Sequence, residues 1–194
     1  MATIRVYMTM SLDGYVTGPQ DSMDDPMGVG GFRLFNWLDR RNDPGVSGQV
    51  VEESMATRAL IAGRRTYEHA DHWQGDHHNG VPMFILTHNV PDGPPPGTVH
   101  FVTDARECAA QAREAAGDGD VMVHGAGATQ ALLQAGEVDE LEMHVVPVLL
   151  GQGRRLFDNL PPDHVELELM RQLTSGDEVD RAQQVTHLRY RVVR

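Results

Sequence analysis

Apolar and polar residues alternate at the start of the chain, and short continuous apolar runs follow. In residues 3–10 the side chains of Ile4, Val6, Met8 and Met10 share one face, which predicts a β-strand. Four short apolar segments further on predict strands buried on both faces: 60–62, 83–86, 99–102 and 121–123. Helix-like stretches follow three of them, at 65–70, 104–116 and 128–135. This alternation indicates a mostly parallel sheet covered by helices on both faces.

The segment between the first two strands predicts a loop and two helices. Residues 17–31 are rich in Gly, Pro and Asp, as expected of a loop. Helices are predicted over 32–41 and 49–58, and Ser47 is a candidate N-cap of the second.

The C-terminal third has a different pattern. It predicts a long strand over 141–150 and then an antiparallel hairpin formed by 164–170 and 185–193 around the polar loop 174–183. We therefore expect residues 1–194 to form a single α/β domain, in which a mostly parallel central sheet ends in an antiparallel C-terminal hairpin.

Composition excludes several kinds of chemistry. All 16 cationic side chains are arginines, so Schiff-base chemistry, a PLP lysine and a Walker-type phosphate lysine are ruled out. Cys108 is the only cysteine, which excludes an internal disulfide and a thiolate metal site. The formal net charge of −12 argues against broad binding to nucleic acid or anionic membranes. No apolar run reaches membrane-spanning length and no secretory signal is evident, so we expect a cytoplasmic protein.

The segment HGAGATQALLQAG (124–136) reads as a strand end, a Gly-x-Gly turn and a helix. Backbone N–H groups at such a helix start suit a phosphate or pyrophosphate. Gly125 and Gly127 would let a ligand approach the backbone closely. The alternative is a plain strand–helix turn, since the third Gly of a dinucleotide fingerprint is replaced by Gln130.

The segment GRRTYE (63–68) also follows a predicted strand. Arg64 and Arg65 offer planar guanidinium groups for phosphate, and Thr66 can cap the helix and donate its hydroxyl. In the alternative reading, Thr66 only caps the helix and both arginines are solvated.

Three further features each leave two readings open. Asp13 stands in a DG turn and is either catalytic or structural. EHADHWQGDHH (68–78) places His69 and His72 at helical spacing, which fits either a metal site or surface histidines, and we expect no metal. FRLFNWL (32–38) is either core or the wall of a pocket for a flat ring, with Phe35 and Trp37 as the candidate pocket residues.

Taken together, these segments resemble the dihydrofolate reductase superfamily, in the branch typified by the C-terminal reductase domain of riboflavin biosynthesis (the RibD C-terminal domain). MSLDGYV follows the first strand, GRRTYE the second and Leu86-Thr87 the third, and a Gly-rich turn opens a helix near residue 125. Residues 139–157, DELEMHVVPVLLGQGRRLF, are similar to the hallmark segment of this branch. The resemblance extends over residues 3–192 and implies a dihydrofolate-reductase-like three-layer sandwich.

The resemblance also implies a bound NADPH. It assigns the phosphates to the start of the GRRT helix and to the GAGAT turn, the adenosine 2′-phosphate to Thr87 and His88, and the nicotinamide to Thr9 and Val16. The loop 17–31 corresponds to a mobile lid. The implied cofactor-binding residues are Thr9, Val16, Gly63, Arg64, Arg65, Thr66, Leu86, Thr87, His88, Gly125, Ala126, Gly127, Ala128 and Thr129. Because GRRT, LTHN and HGAG contain no carboxylate, NADPH is expected to be preferred over NADH.

The implied activity is an NADPH-dependent reductase that transfers a hydride to a small heterocyclic substrate. The nearest named activities are reduction of 5-amino-6-(5-phosphoribosylamino)uracil in riboflavin biosynthesis and a dihydrofolate-reductase-like reduction. A phosphorylated substrate would require a second basic cluster, for which Arg33, Arg40 and Arg41 are candidates. The carboxylate of true dihydrofolate reductases has no counterpart, since its position falls near Ser47, which leaves Asp13 and Glu52 as catalytic candidates.

Two other functions and an oligomeric state complete the expectations. The chain could be an NADP(H)-binding module of the same fold without turnover, or a metal-dependent enzyme built on 69–78. The ligands of the zinc deaminase often fused to the riboflavin enzyme are missing. A homodimer is expected, because strand 141–150 and the alternating strands after it leave apolar surface to cover.

Overall fold

All the strands of the protein form one sheet. The computed structural model describes residues 2–78, 80–175 and 179–193. The strands are β1 (Ile4–Ser11), β2 (Ala59–Gly63), β3 (Met83–Leu86), β4 (Val99–Val102), β5 (Val121–His124), β6 (Glu140–Val146), β7 (Leu167–Thr174) and β8 (Thr186–Val192). The α-helices are α1 (Val46–Ser54), α2 (Arg64–His69), α3 (Ala105–Ala116) and α4 (Ala126–Ala135). Short 3-10 segments cover Gly31–Arg40, Asp71–Gly75 and Arg181–Gln183.

The sheet order is β4-β3-β2-β5-β1-β6-β8-β7. The first six strands in this order, β4-β3-β2-β5-β1-β6, pair in parallel. Strand β8 runs antiparallel to both β6 and β7. The predicted fold class, a mostly parallel sheet with an antiparallel C-terminal hairpin, is therefore confirmed. Since β1, β2, β3 and β5 are parallel, their C-terminal ends meet at one edge of the sheet, where ligands bind in such folds.

Side chains of the sheet alternate between two helical layers. On β2, Ala59 and Ile61 pack in the cluster that contains the apolar faces of α3 and α4. Leu60 and Ala62 pack on the other face, with Tyr67 of α2. Burial on both faces explains why these strands are continuously apolar in sequence.

Several predicted boundaries are wrong. Helix α1 begins at Val46, so Gly45 occupies the N-cap position, its carbonyl accepts from the amide of Gln49 at 2.9 Å, and Ser47 is buried within the first turn. The predicted strand 141–150 ends at Val146, because Pro147 has no N–H to donate and the amide of Val148 turns back to the carbonyl of Val146 at 2.8 Å.

Two more elements differ from their predictions. The segment predicted as a helix over 32–41 is a 3-10 helix, and its period of three residues per turn places Leu34 and Trp37 on one buried face. The first strand of the hairpin runs from Leu167 to Thr174, so it begins three residues later and ends four residues later than predicted. Residues 176–178 of the predicted loop 174–183 lie outside the described residues.

A buried polar cluster joins β6 to the C-terminal hairpin. The carboxylate of Glu142, which is fully buried, accepts from Arg171 at 3.2 Å and from Arg189. Both arginines also pair with Glu53 of α1, at 2.8 and 3.0 Å. Beside them, Nδ1 of His144 lies 2.7 Å from Nδ1 of His187. The two carboxylates balance the two guanidinium groups, so this polar interior carries little net charge.

Candidate active site

Two adjoining cavities lie at the edge where the parallel strands end. The main cavity, of about 450 Å³, is lined by Tyr7, Met8, Thr9, Val16, Thr17, Asp21, Pro26, Met27, Phe35, Trp37, Leu38, Arg65, Thr66, His69, Ala70, Trp73, His77, His124, Gly125, Ala126 and Arg154. The outer groove, of about 650 Å³, is lined by Gly63, Arg64, Arg65, Thr66, Leu86, Thr87, His88, Asn89, Thr103, Asp104, Ala105, Arg106, Ala126, Gly127, Ala128, Ala131, Gln134, Ala135 and Arg154. Arg65, Thr66, Ala126 and Arg154 line both, so one elongated ligand can occupy the two spaces.

The starts of α2 and α4 lie against each other where the cavities meet. Gly125 has φ +93, and a Cβ there would lie only 2.1 Å from Oγ1 of Thr66. Gly127, by contrast, has nothing within 4 Å of where its Cβ would be. No side chain caps α4, and no acidic residue stands in its first turn. Its first amide N–H groups therefore remain available to an anion in the groove.

Three arginines surround this junction, and each contacts an acceptor. Arg65 pairs with Asp21 at 2.8 Å, and Arg154 approaches the same carboxylate at 3.5 Å. Burial alone would raise the pKa of Asp21, but the hydrogen bond from Arg65 and the two positive charges hold it below its ordinary value. Arg64 pairs with Glu68 at 2.6 Å and donates to the carbonyl of Asn89 at 3.3 Å. Asp21 thus stays ionised beside two guanidinium groups.

The far end of the groove combines hydroxyl groups with one exposed cation. Thr87 Oγ1 donates to the carbonyl of Asn89 at 3.0 Å. Arg106 lies in the first turn of α3, and no ion pair engages its guanidinium group within the described part of the chain. Asp104 also lines the groove, but its carboxylate caps α3 by accepting from the amides of Arg106 and Glu107 at 2.9 Å. This carboxylate, which follows β4, was missed by the sequence prediction.

The walls of the main cavity are aromatic. Trp37 is almost completely buried, and its Nε1 donates to Oγ1 of Thr9 at 3.3 Å. Trp73 lies in the Asp71–Gly75 segment, where four consecutive non-glycine residues have φ between 46 and 57. This left-handed turn is unusual for such residues and places Trp73 on the cavity, against the ring of His77.

Two neutral histidines face the main cavity. His124 ends β5, and its Nδ1 lies 3.0 Å from the carbonyl oxygen of Tyr7. Burial, reinforced by nearby His78, lowers the pKa of His124 to about 4. Burial, with His124 and His78 nearby, also lowers the pKa of His77 to about 3. The rings of His77 and His124 lie 5.5 Å apart and edge to face.

The histidine-rich segment does not assemble a metal centre. His69, whose Nδ1 is 3.4 Å from the carbonyl of Pro26, lines the main cavity, whereas His72 packs against the ring of Tyr67. Within residues 2–78, 80–175 and 179–193, no three His, Cys, Asp or Glu side chains are arranged to hold a metal ion. No helix of this part of the chain is long and apolar enough to cross a membrane.

Neither candidate catalytic acid lines the cavities. Asp13 accepts from Oγ of Ser11 at 2.6 Å and from the amides of Leu150 and Gly151 at 3.1 and 2.7 Å. The hydrogen bond from Ser11 is the main cause that lowers the pKa of Asp13 to about 2, despite slight desolvation. Glu52 is exposed on α1, away from both cavities. Asp13 therefore fastens a turn, and among the described residues Asp21 is the one carboxylate on the main cavity.

The structure brings together nearly all the cofactor-binding residues predicted from the sequence. Thr9, Val16 and Gly125 line the main cavity, together with both candidate pocket residues, Phe35 and Trp37. The outer groove holds Gly63, Arg64, Leu86, Thr87, His88, Gly127 and Ala128, and Arg65, Thr66 and Ala126 lie on both. Thr129 is fully buried and lines neither cavity.

Several residues of the site were missed by the sequence prediction. Arg154 belongs to the GQGRRLF segment, and its carbonyl accepts from the amide of Val16 at 2.8 Å, which places its side chain beside the loop. Its position three residues after the DEL…PVLLG segment is a signal that could have identified it. His124 was visible as the residue before the Gly-rich turn. Trp73 and His77 belong to the histidine-rich segment 68–78, whose pattern indicated a metal site or surface histidines and not the wall of a cavity.

Comparisons with known proteins agree with this architecture. The family model of the RibD C-terminal domain matches residues 2–180. A protein of Shewanella sp. PV-4 assigned to riboflavin biosynthesis is 23% identical, with both chains covered completely and a TM-score of 0.72. Dihydrofolate reductase from Enterococcus faecalis, solved with NADP(H) and RAB-propyl, is 18% identical, with 98% of this chain and 96% of that one covered and a TM-score of 0.65.

A search of the curated proteins finds no significant match. The two solved structures share the fold at low identity, and the family model covers almost the whole chain. The protein is therefore a member of the RibD C-terminal domain family, with a dihydrofolate-reductase-like fold.

Proposed function

We propose that this protein is an NADPH-dependent reductase that transfers a hydride to a small heterocyclic substrate. The observation that carries the proposal is the junction of the two cavities, where the uncapped start of α4 lies beside Arg65 and Arg154. Amide N–H groups and guanidinium groups at one point suit the pyrophosphate of a dinucleotide. Such a ligand would extend from this point into both cavities.

The residues present fit the cofactor. Gly127 leaves open space over the first turn of α4, and Gly125 allows α2 and α4 to meet closely. Arg106, Thr87 and His88 at the far end of the groove suit a 2′-phosphate. When bound, NADPH supplies the hydride, and the chain supplies binding and orientation.

The chain's own contribution to the reaction is placement and exclusion of water. Thr9 and Val16 border the inner end of the main cavity, and Trp37, held by its bond to Thr9, forms one wall. Met27 and Pro26 of the loop between β1 and the Gly31–Arg40 helix close another side. Apolar walls of this kind orient a flat ring and keep solvent from the reacting atoms.

The second candidate function is an NADP(H)-binding module without turnover. It is favoured by the lining of the main cavity, in which Asp21 is the one carboxylate among the described residues and is held ionised by Arg65. A panel of heterocyclic and carbonyl substrates distinguishes the two, with NADPH oxidation followed by absorbance. Oxidation with any substrate supports the reductase, whereas tight NADPH binding with no oxidation supports the module.

We further propose that the protein is a homodimer joined at the outer edge of β7. Within the part of the chain that the structure describes, this strand pairs with β8 alone, so its other side offers free backbone groups. Three apolar side chains on β7 are exposed: Leu167 by 41%, Leu169 by 52% and Met170 by 41%. Leu160, which precedes β7 in the chain, and Val193, which follows β8, are exposed as well. An apolar edge strand of this kind suits pairing with a second copy of the chain.

A further inference from the structure

The main cavity is shaped for a flat ring. Trp37, Phe35 and Trp73 line it, and the first of these is fixed on three sides: by its hydrogen bond to Thr9 and by the rings of His144 and His187, at 4.8 and 5.0 Å. A rigid aromatic wall favours a planar ligand, because stacking adds to the burial of apolar area. The walls alone do not select among planar rings.

His124 supplies the selective group. A carbonyl oxygen only accepts hydrogen bonds, so the 3.0 Å contact with the carbonyl of Tyr7 places the imidazole proton on Nδ1. In that tautomer Nε2 is an acceptor without a proton to donate, on a side chain that lines the main cavity. Trp73 and His77, with ring centroids 6.3 and 5.5 Å from His124, hold the ring in place.

His124 stays neutral near pH 7. Its burial disfavours the imidazolium, and His78 adds to this effect, while the bond to Tyr7 opposes it only partly. The other groups that face it, His77 and the ring of Tyr7, bring no negative charge near pH 7. The group therefore presents an acceptor, not a cation, to a ligand in this cavity.

Among the residues that the structure describes, the arginines do not build a second anion site on this side. Arg65 and Arg154, which line the main cavity, both approach Asp21 and both also face the outer groove. The three arginines considered for a substrate phosphate are engaged elsewhere: Arg33 with the carbonyl of Arg181, Arg40 with Asp43, and Arg41 with the carbonyl of Leu38. None of these three lines the main cavity.

We propose that the main cavity binds an uncharged, unphosphorylated planar heterocycle that donates an N–H or O–H hydrogen bond to Nε2 of His124. This inference rests on the proposed reductase function and narrows its substrate class. It makes His124 the specificity-determining residue of the cavity. It also separates this protein's substrate from the phosphorylated uracil that the family resemblance suggested.

The first test compares two rings that differ by two N-methyl groups, which replace the ring N–H donors. Lumazine has ring N–H groups, and 1,3-dimethyllumazine has both of them blocked. Calorimetric titration at pH 7, with and without saturating NADPH, is expected to show that lumazine binds about fivefold or more tightly than 1,3-dimethyllumazine. The methylated ring would leave the buried Nε2 of His124 without a donor, which weakens its binding. Equal affinity, tighter binding of the methylated ring, or no binding of either overturns the inference.

The second test removes the acceptor. His124→Phe keeps a ring of similar size, and it should abolish the preference for lumazine over its dimethyl derivative. The control is His100→Phe, an exposed β4 residue that lines neither cavity and should keep the preference. An undiminished preference in His124→Phe overturns the assignment. If that variant fails to fold, the comparison of the two rings on the wild-type protein still tests whether the cavity requires a hydrogen-bond donor on its ligand.

The third test addresses the phosphate. Uridine and uridine 5′-phosphate share a ring with an N–H donor. With saturating NADPH present to occupy the junction, the inference expects the phosphate to bring no gain in affinity. A tenfold tighter binding of the phosphate would overturn the unphosphorylated class. A separate titration with NADPH alone tests the reductase: absence of NADPH binding contradicts that proposal, while the ring comparisons on the NADPH-free protein still report on His124.

Discussion

Asp21 and Arg65 form an ion pair of 2.8 Å that ties the loop after β1 to the start of α2. The same carboxylate lies 3.5 Å from Arg154, at the point where the main cavity and the outer groove meet. A negative charge of the protein thus occupies the place where two guanidinium groups would receive a phosphate. Any cofactor phosphate that binds there competes with Asp21.

Replacement of Asp21 by Asn should strengthen NADPH binding. The substitution removes a charge that repels phosphate and frees Arg65. Partly exposed ion pairs of this kind contribute about 0.2–1 kcal/mol, so a gain of about 1.4- to fivefold is expected. The gain should shrink at high ionic strength. Asp24→Asn, an exposed carboxylate in the same loop, is the matched control and should leave the affinity unchanged. Weaker NADPH binding in Asp21→Asn would show that the carboxylate contacts the cofactor instead.

Two arginines should affect NADPH and NADH differently. Arg65 lies at the junction, where the pyrophosphate common to both cofactors is expected, so Arg65→Ala should weaken both. Arg106 lies at the far end with Thr87 and His88, so Arg106→Ala should weaken NADPH binding about ten- to a hundredfold and leave NADH binding unchanged, as one charge-assisted contact contributes roughly 1.5–3 kcal/mol. Calorimetry with both cofactors measures this.

The same titration tests the preference for NADPH in the wild-type protein. The control is Arg191→Ala, whose guanidinium pairs with Glu168 on the exposed hairpin and should affect neither cofactor. Equal wild-type affinity for NADPH and NADH would contradict the preference, and an unchanged NADPH affinity in Arg106→Ala would place the 2′-phosphate elsewhere.

The strands and the outer groove could be predicted because their signals are local. The continuous apolar runs 60–62 and 121–123 predict strands that are buried on both faces of the sheet. The glycines that follow these runs mark the ends of the strands. The 3-10 form of the Gly31–Arg40 helix could not be predicted in this way, since it depends on how Leu34 and Trp37 pack. The end of β6 at Val146 follows from the missing N–H of Pro147, a local signal that the predicted strand 141–150 overlooked.

The main cavity was harder to predict, because its lining comes from distant segments. Arg154 reaches the site only because the 147–157 segment runs back along the loop after β1, with the bridge between Tyr15 and Arg155. Trp73 reaches it through a left-handed turn that local propensity opposes. His124 was adjacent to a recognised motif, but its tautomer follows from a contact with Tyr7, 117 residues away.

The folded protein should lose stability between pH 6.5 and 4. Burial, with a smaller effect of Arg171, lowers the pKa of His187 from 6.5 to about 4, although Glu53 opposes this. As pH falls through this range, the unfolded chain gains a proton on His187 that the folded chain does not bind. Stability is therefore full above pH 6.5 and decreases below it, with a slope of up to about 1.4 kcal/mol per pH unit for each such histidine.

Thermal unfolding at pH values from 7 to about 4.5 measures this effect. His187→Gln should lower stability at pH 7, because it disturbs the contact with His144, but its stability should depend less on pH. His164→Gln, with a side chain that is 84% exposed, is the control and should keep the wild-type slope. A wild-type melting temperature that stays constant over this range would contradict the buried neutral state.

A substitution on β7 should separate the proposed dimer. Leu169 is 52% exposed on the outer strand of the hairpin, and no described strand pairs with the other side of β7. The wild-type protein is expected to sediment at twice the chain mass of 21.4 kDa at micromolar concentration. Leu169→Arg would place a charge in the apolar contact, which costs several kcal/mol when unpaired and buried, so this variant should sediment as a monomer.

Glu168→Gln on the same strand, a residue that is already polar and paired with Arg191, should remain dimeric. A wild-type protein that sediments at 21.4 kDa contradicts the dimer itself, and a dimer that survives Leu169→Arg places the interface on another surface.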